Sequence, residues 1–458
     1  MVENKVIDIQ LKKKCNANRL RKIIFLKLKN NRLAYDIQNY LKMNSNSAYK
    51  DYLRTLYRHI VGCSSFVLMK DLGENEYEYV TAHTCKDKLC FICNAERRRI
   101  TRNRYNAWFD RNAFLYSAGD KIYTAATRPA GCEDRVAYDM MHLTLTVPHT
   151  ANGYKGNRIY YKQIIADFNR LRKEPIWQYW VYGGEYGVEA TPGSTDRRKV
   201  KRNGSWTDES DAEYLQRMVD SGMHIHIHAL LMVRKAFQNR NRLHRDLLLA
   251  WNRLTRDQGN RRVAFEAWQV AAIRRGNQIL TDADIQQLSP CGATFIHLKN
   301  IYLKDKETGA ISYANSDSRE ARIHAVMETV SYHFKPKTFE RSDGSFDVEA
   351  IAKVYAVTKG MILYRKFGCL HKDRTLNLKD TTLLDELADA KTAEEAATGA
   401  NVDTAAAGYF LTPPLNMYVC NDKIKIKKAV RTMDIDATTT KGALAGMQRF
   451  IHDNKLFN

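Results

Sequence analysis

The chain of 458 residues is long enough to bury a substantial core, and its length favours two or three structural units over one. Apolar residues make up 44% and charged residues 27%, as in soluble globular proteins, and no apolar run is long enough to span a bilayer. The net charge of +22 favours a polyanionic partner, usually nucleic acid; a solvated basic surface or association with RNA or a membrane would also account for it.

The first residues and the cysteines bear on the compartment. The opening segment MVENKVIDIQ lacks the apolar core of a secretory signal. We therefore expect the protein in a reducing compartment, the cytoplasm, where its nine cysteines bind metal more readily than they form disulfides.

The first quarter of the chain divides into two predicted segments. Residues 1–60 are strongly basic with apolar residues at helical spacing, which predicts a helical DNA-binding segment. Strand-like runs at 64–70 and 77–82 follow, joined by an acidic turn with a glycine. A compact cysteine motif then leads into an arginine-rich helix at 94–114, so residues 61–114 are interpreted as a zinc-binding module with this helix.

Residues 115–372 read as alternating strands and helices and are predicted to form a separate domain. Its strands are predicted at 140–147, 177–189, 223–233, 294–303, 310–313 and 361–366, and its helices at 160–171, 240–256, 262–275, 318–334 and 351–357. A polar loop at 191–212 carries several basic residues. Residues 373–458, rich in alanine and acids and then broken by two prolines, are predicted as a partly disordered or helical tail.

Three histidines alternate on the predicted strand MHIHIHALLMV. His224, His226 and His228 therefore point to one face of the strand, with apolar residues on the other. Two imidazoles a few ångströms apart can chelate one divalent metal, so we favour His226 and His228 as metal ligands. A histidine-rich polar strand face without a ligand is the alternative.

A metal needs further ligands, and the preceding strand offers Glu185 and Glu189. If the two strands pair through the basic loop, one glutamate lies beside the histidines. We favour Glu189 because it is nearer the loop; an ordinary carboxylate at the loop edge is the alternative.

The segment RIHAVMETVSYHFKPK has a helical pattern that ends near Pro336. Glu328, Tyr332 and Lys335 are spaced to stack on one helical face. A tyrosine can attack a phosphodiester if a metal or cation stabilises its phenolate, Lys335 can neutralise phosphate charge, and Glu328 can act as general base for a second nucleophile. A surface helix with a Glu–Lys pair and a half-buried tyrosine is the alternative.

Cys85-x4-Cys90-x2-Cys93 is close to zinc-knuckle spacing, and Cys63 and His83 are both candidates for a fourth ligand. A structural zinc is favoured over buried free cysteines, because thiolate sites stabilise small units that lack a core.

Basic residues on the following helix and in the polar loop are predicted to contact DNA phosphates, with a solvated basic face as the alternative. They are Arg97, Arg98, Arg102, Arg197, Arg198 and Lys199.

Three elements, MHLTLTV, HIHIHALLMV and ETVSYHFK, follow one another along the chain. This order resembles the HUH endonucleases (histidine, hydrophobic residue, histidine). More narrowly it resembles plasmid rolling-circle replication initiators with a Glu-x-x-x-Tyr-x-x-Lys third motif. The resemblance covers about residues 60–370. The chain departs from the family at Ile225, often a proline, and in a longer loop at 191–221.

The resemblance assigns roles residue by residue. His226 and His228 correspond to the metal ligands, and Tyr332 to the nucleophile with Glu328 and Lys335 beside it. The family commonly has a cysteine upstream of its cluster, which favours Cys63 as the fourth zinc ligand, although it usually has proline where this chain has Phe91.

The resemblance also implies a fold and a mechanism. The fold is α+β, a central antiparallel sheet flanked by helices, with the histidine strand central and the tyrosine helix against it. The activity is nicking and joining of single-stranded or hairpin origin DNA through a 5′-phosphotyrosine. The expected cofactors are Mg or Mn at the histidine pair and a structural Zn. The expected partners are a host helicase and polymerase, in a bacterial cytoplasm and without a membrane.

Two other functions fit parts of the sequence. A transposase of the same superfamily would use the same tyrosine chemistry on element ends, although Glu328 beside Tyr332 favours an initiator because it supplies termination without a second tyrosine. A relaxase is disfavoured by the absence of clustered N-terminal tyrosines. A non-catalytic zinc-containing DNA-binding protein would explain the charge and cysteines but not the histidine strand or the tyrosine helix.

Overall fold

The structure is a computed structural model of the chain. It describes residues 7–11, 14–65, 67–73, 76–82, 84–147, 154–192, 199–202, 204–208, 210, 213, 223–234, 239–256, 264–305, 307–333, 339–341, 343–358, 361, 364–376, 409–412, 417–420 and 423–426. The chain divides into two compact units: 1–97 with 336–348 and 378–458, and 98–335 with 349–377.

The helices and strands are numbered in chain order. The described helices are α1 (Lys14–Met43), α2 (Lys50–Gly62), α3 (Phe91–Arg111), α4 (Tyr154–Leu171), α5 (Pro175–Trp180), α6 (Arg240–Thr255), α7 (Ala267–Gly276), α8 (Asp282–Gln287), α9 (Arg319–His333) and α10 (Val348–Thr358). The described strands are β1 (Ile7–Leu11), β2 (Val67–Gly73), β3 (Glu76–Ala82), β4 (Leu115–Ala118), β5 (Lys121–Tyr123), β6 (Arg135–Val136), β7 (Asp139–Thr146), β8 (Val181–Pro192), β9 (Lys199–Arg202), β10 (Ser205–Asp208), β11 (Met223–Val233), β12 (Ile296–Asn300), β13 (Tyr302–Lys304), β14 (Ile311–Tyr313), β15 (Tyr364–Gly368), β16 (Tyr409–Thr412), β17 (Met417–Cys420) and β18 (Lys423–Ile426).

The first unit joins amphipathic helices to a six-stranded sheet. Leu53, Leu56 and Ile60 recur at helical spacing along α2 and are fully buried, as are Leu33 and Ile37 of α1. The sheet has the order β16-β2-β3-β1-β18-β17, with one parallel pair, β1 with β3, among antiparallel ones.

Beyond residue 376, the described part of the predicted tail consists of strands, where a partly disordered or helical tail was expected. The segments YFLT, MYVC and KIKI are rich in β-branched and aromatic residues, which suit a pleated surface. β16 pairs with β2, and β18 with β1, so both partners come from the start of the chain. Nothing local in the sequence indicates such distant partners.

The second unit is built on a five-stranded sheet of order β12-β7-β11-β8-β15, in which every neighbouring pair is antiparallel. One face of the sheet is covered by α4, where Phe168 packs against Tyr186 of β8. On the other face Met140, Leu230 and Met232 share a core cluster with residues of α3 and α9. The prediction of an α+β protein with antiparallel strands flanked by helices is confirmed.

Two predicted elements are corrected. The predicted strand at 177–189 begins only at Val181, because residues 175–180 form the short helix α5. Pro175 suits a first helical position, and one helical turn places Trp177 and Trp180 on the same buried side. The predicted loop at 191–212 contains an antiparallel hairpin of β9 and β10. Among the described residues, no helix has both the length and the apolar character needed to cross a membrane.

Gly184 of β8 lies where that strand comes close to the backbone of β11. A Cβ at this position would lie 2.1 Å from the carbonyl oxygen of Leu230. We expect Gly184→Ala to lower the free energy of unfolding by about 1–3 kcal/mol in urea titrations, because a backbone must move to make room. Gly276→Ala is the control, since its Cβ would meet Phe295 at an ordinary 3.5 Å. Equal stability of the two variants would contradict the close approach.

Candidate functional site

The central strand β11 places His226 and His228 on one face of the sheet, called here the histidine face; the side chain of His224 lies outside the described residues. His226 pairs in register with Thr146 of β7 on one side and with Glu189 of β8 on the other. The intervening Ile225 and Ile227 are buried on the opposite face. Because side chains alternate along a strand, antiparallel pairing of β8 with β11 in this register brings a carboxylate beside the imidazoles.

Glu189, His226 and His228 meet at a single carboxylate oxygen. Glu189 Oε2 lies 3.0 Å from His226 Nε2 and 2.9 Å from His228 Nε2. The two imidazole rings are 4.5 Å apart and nearly perpendicular. The donor atoms of the three residues lie within 4.8 Å of one another, so this group could hold a metal ion.

The charge of Glu189 suits a cation. Burial alone would raise the pKa of this carboxyl, but hydrogen bonds from His226 and His228 outweigh burial and lower the pKa to about 2. Glu189 is therefore ionised near neutral pH, which is the form that coordinates a metal.

Strand β7, which contains the first sequence motif, contacts a histidine of the second motif on β11. Thr144 Oγ1 lies 3.2 Å from His228 Nδ1, the ring nitrogen that faces away from Glu189. His142, on the same strand and face, is buried and stacks on His228 with ring centroids 5.6 Å apart. The Leu-Thr-Leu-Thr strand thus fixes the orientation of a potential ligand, a role that the motif itself did not reveal.

Helix α9 lies on the histidine face, because Ala321, Ala325 and Val326 pack in one cluster with Leu230. Glu328 follows about one turn later and is half-buried. The backbone of Tyr332 belongs to this helix; its side chain, and Lys335 entirely, lie outside the described residues.

Glu185, the other glutamate considered from the sequence, lies elsewhere on the same face. It is fully buried, and its Oε2 accepts hydrogen bonds from the hydroxyls of Tyr105 and Tyr364. Burial raises the pKa of Glu185 to about 7, although the Tyr105 hydrogen bond and the charge of Lys366 act in the opposite direction. The structure thus distinguishes two glutamates four residues apart, one beside the histidines and one held by tyrosines.

The four cysteines of the predicted cluster converge in the first unit. Cys63 Sγ lies 3.3 Å from Cys90 Sγ and 3.6 Å from Cys93 Sγ, and Cys85 Sγ lies 3.6 Å from Cys93 Sγ. All four are free thiols, so no disulfide competes for them, and together they could hold one metal ion. His83, the other candidate ligand, lies outside the described residues.

Helix α1 provides polar contacts to this cluster that the sequence did not suggest. The Asn30 amide donates to Cys90 Sγ at 3.2 Å and accepts from the backbone N–H of Phe91 at 3.1 Å. Lys27 is 4% exposed, and its ammonium donates to the carbonyl oxygens of Val61 and Cys63. A cation and an amide therefore lie beside a group of thiols that is negatively charged when it binds metal.

The predicted DNA contacts fall into three groups. Arg98 and Arg102 are exposed one turn apart on α3. Arg97 instead folds back, donating to Asn94 Oδ1 at 3.1 Å and to a backbone carbonyl. Arg197 and Arg198, and the side chain of Lys199, lie outside the described residues.

Comparison of the chain with protein-family models, with curated proteins and with solved structures finds no match.

The buried Glu185 predicts a pH dependence of stability. Its pKa rises from 4.5 to about 7 on folding, so the protonated form favours the folded state, and stability is lost as the pH rises through this interval. The loss amounts to at most about 3 kcal/mol. Glu185→Gln keeps a neutral side chain, and we expect its unfolding free energy to fall less between pH 4.5 and 7 in urea titrations. Parallel curves for variant and wild type would show that Glu185 does not titrate in this range.

Proposed function

We propose that this protein nicks and joins single-stranded DNA through a 5′-phosphotyrosine intermediate, with the fold and activity of an HUH endonuclease that initiates rolling-circle replication. The observation that carries the proposal is the meeting of Glu189, His226 and His228 at one oxygen, on the sheet face covered by the helix that contains Glu328 and Tyr332.

Two imidazole nitrogens and one ionised carboxylate could hold a divalent cation. We propose Mg or Mn as that ion, following the resemblance to the HUH endonucleases. Such an ion polarises a phosphodiester and stabilises developing negative charge. Within the protein, Thr144 orients the His228 ring. Glu189 contacts Nε2 of both His226 and His228, so these two nitrogens face the same point.

Tyr332 is proposed as the nucleophile. It follows Ala325 by seven residues, two helical turns, and Ala325 packs toward the histidine face. The Tyr332 phenol loses its proton as its oxygen forms a bond to phosphorus, the bond from phosphorus to the 3′-oxygen breaks, and that oxygen takes up a proton and leaves as a 3′-hydroxyl. Lys335 neutralises phosphate charge. Glu328 takes the proton from the water that later releases the tyrosine, which favours an initiator over a transposase.

The cysteine cluster is proposed as a structural zinc site. A tetrahedral zinc with bonds of about 2.3 Å places its sulfurs about 3.8 Å apart, close to the separations of 3.3–3.6 Å among these thiols. Replication in a bacterial cytoplasm, with a host helicase and polymerase, completes the proposal.

The decisive change for the nuclease is Tyr332→Phe. With Mn²⁺ and a labelled single-stranded oligonucleotide from the replicon that encodes the protein, we expect wild type to form a covalent protein–DNA adduct on denaturing gels, and the variant to form none. The reason is that phenylalanine keeps the ring but lacks the attacking oxygen. EDTA and His226→Ala should each abolish the wild-type adduct.

Tyr302→Phe is the control, because Tyr302 is an exposed tyrosine on β13. An adduct that persists in Tyr332→Phe would assign the nucleophile to another residue. The absence of any adduct from wild type on origin and element-end sequences would favour a zinc-containing DNA-binding protein.

The zinc site is tested by Cys90→Ser. Wild type is expected to carry about one zinc ion per chain by elemental analysis, and the variant much less, with a lower melting temperature, because three thiolates close a tetrahedral site poorly. Cys132→Ser is the control, since Cys132 is buried outside the cluster and donates to the Ser117 carbonyl. Equal zinc contents of the two variants would contradict the assignment.

A further inference from the structure

Along the edge strand β12, buried apolar side chains alternate with a second set of side chains that packing of the core does not explain. Ile296 and Leu298 are fully buried on one face. Phe295, His297 and Lys299 alternate with them, and both Phe295, at 41% exposed, and Lys299 are open to solvent. The register opposes His297 to Thr144 and Lys299 to His142, so both side chains lie on the histidine face, and Phe295, just before β12, stacks on His297.

The two rings of this set form a preorganised surface. Phe295 and His297 stack at 6.3 Å between centroids and 26° between planes. The Thr146 hydroxyl donates to the carbonyl of Phe295 at 2.9 Å, and a Cβ at Gly276 would lie 3.5 Å from the Phe295 ring. Burial and neighbouring cations lower the pKa of His297, so its ring is uncharged near neutral pH.

The outer edge of β12 is already occupied by α6. Arg240 donates twice to the Leu298 carbonyl, at 3.1 and 2.8 Å, and His244 Nε2 lies 3.1 Å from the Ile296 carbonyl oxygen. A ligand therefore meets this strand through its exposed face and not by adding a further strand.

The position of the rings relative to the metal-binding group identifies the ligand. β12 and β11 are separated by β7 alone, which places the ring pair about 10 Å from the histidine ligands on the same face. An exposed phenyl ring and a half-buried imidazole beside a lysine suit unpaired bases and their phosphates, because every base has a π-face and the backbone is anionic.

We infer that Phe295 and His297 form a stacking platform for unpaired bases of single-stranded DNA next to the phosphodiester to be cleaved, with Lys299 contacting the backbone. The inference rests on the proposed nuclease function and assigns to it a DNA-binding subsite.

The test measures binding separately from cleavage. The full chain carrying Tyr332→Phe is titrated with fluorescein-labelled oligothymidylate in Mg²⁺, and anisotropy gives Kd. We expect Phe295→Ala and His297→Ala each to raise Kd at least about fivefold. An abasic oligonucleotide of equal length should bind all these proteins alike, because it keeps the phosphates and lacks the bases.

Conservative variants separate stacking from other roles. Phe295→Trp and His297→Phe keep a ring at each position and should retain binding, the second without an imidazole. Lys299→Ala should lower the slope of log Kd against log salt concentration by the amount expected for about one phosphate contact. Tyr302 and Lys304 are exposed on β13, the next strand along the chain, which belongs to a separate sheet. Tyr302→Ala and Lys304→Ala are therefore matched controls and should change neither quantity.

The outcomes distinguish the two proposals. Unchanged Kd in Phe295→Ala and His297→Ala, or equal losses on the abasic oligonucleotide, would overturn the platform even if wild type forms the tyrosine adduct. Loss of base-dependent binding in both alanine variants, with melting temperatures unchanged, would establish the platform even if no adduct forms.

Discussion

The antiparallel pairing of β8 with β11 is the constraint on which the candidate site depends. It sets Glu189 opposite His226 and leaves His228 two residues further on the same face, so that both rings reach one carboxylate oxygen. A shift of the register by one residue would turn the carboxylate to the apolar face and separate it from both imidazoles. Strand β7, paired on the other side, adds Thr144 behind His228.

The two faces of this sheet have different roles. The face covered by α4 is apolar, and burial of residues such as Ile227 and Leu231 favours folding. The histidine face buries ionisable groups, which costs free energy unless they are hydrogen-bonded. That cost is offset locally: Glu189 is held by histidines and Glu185 by tyrosines. Near one end of the same face, Phe295 is exposed to solvent.

In the first unit, the ionisable groups of the cysteine cluster also have polar partners close by. Four thiols converge, three of them buried, and α1 supplies the Lys27 cation and the Asn30 amide beside them. These residues lie on the stripe of α1 that also buries Leu33 and Ile37. The polar contacts of this helix therefore connect the basic segment to a potential metal site.

The sequence by itself determined the alternating histidines, the cysteine spacing and the α+β pattern, because these follow from periodicities of a few residues. It narrowed the partner of the histidines to two glutamates, and only strand pairing separated Glu189 from Glu185. The strands near residues 409–426, the contacts of Lys27 and the exposure of Phe295 were decided by tertiary structure. Each depends on contacts between segments far apart in the chain. Packing and strand register determine these contacts, and neither is visible in a local sequence pattern.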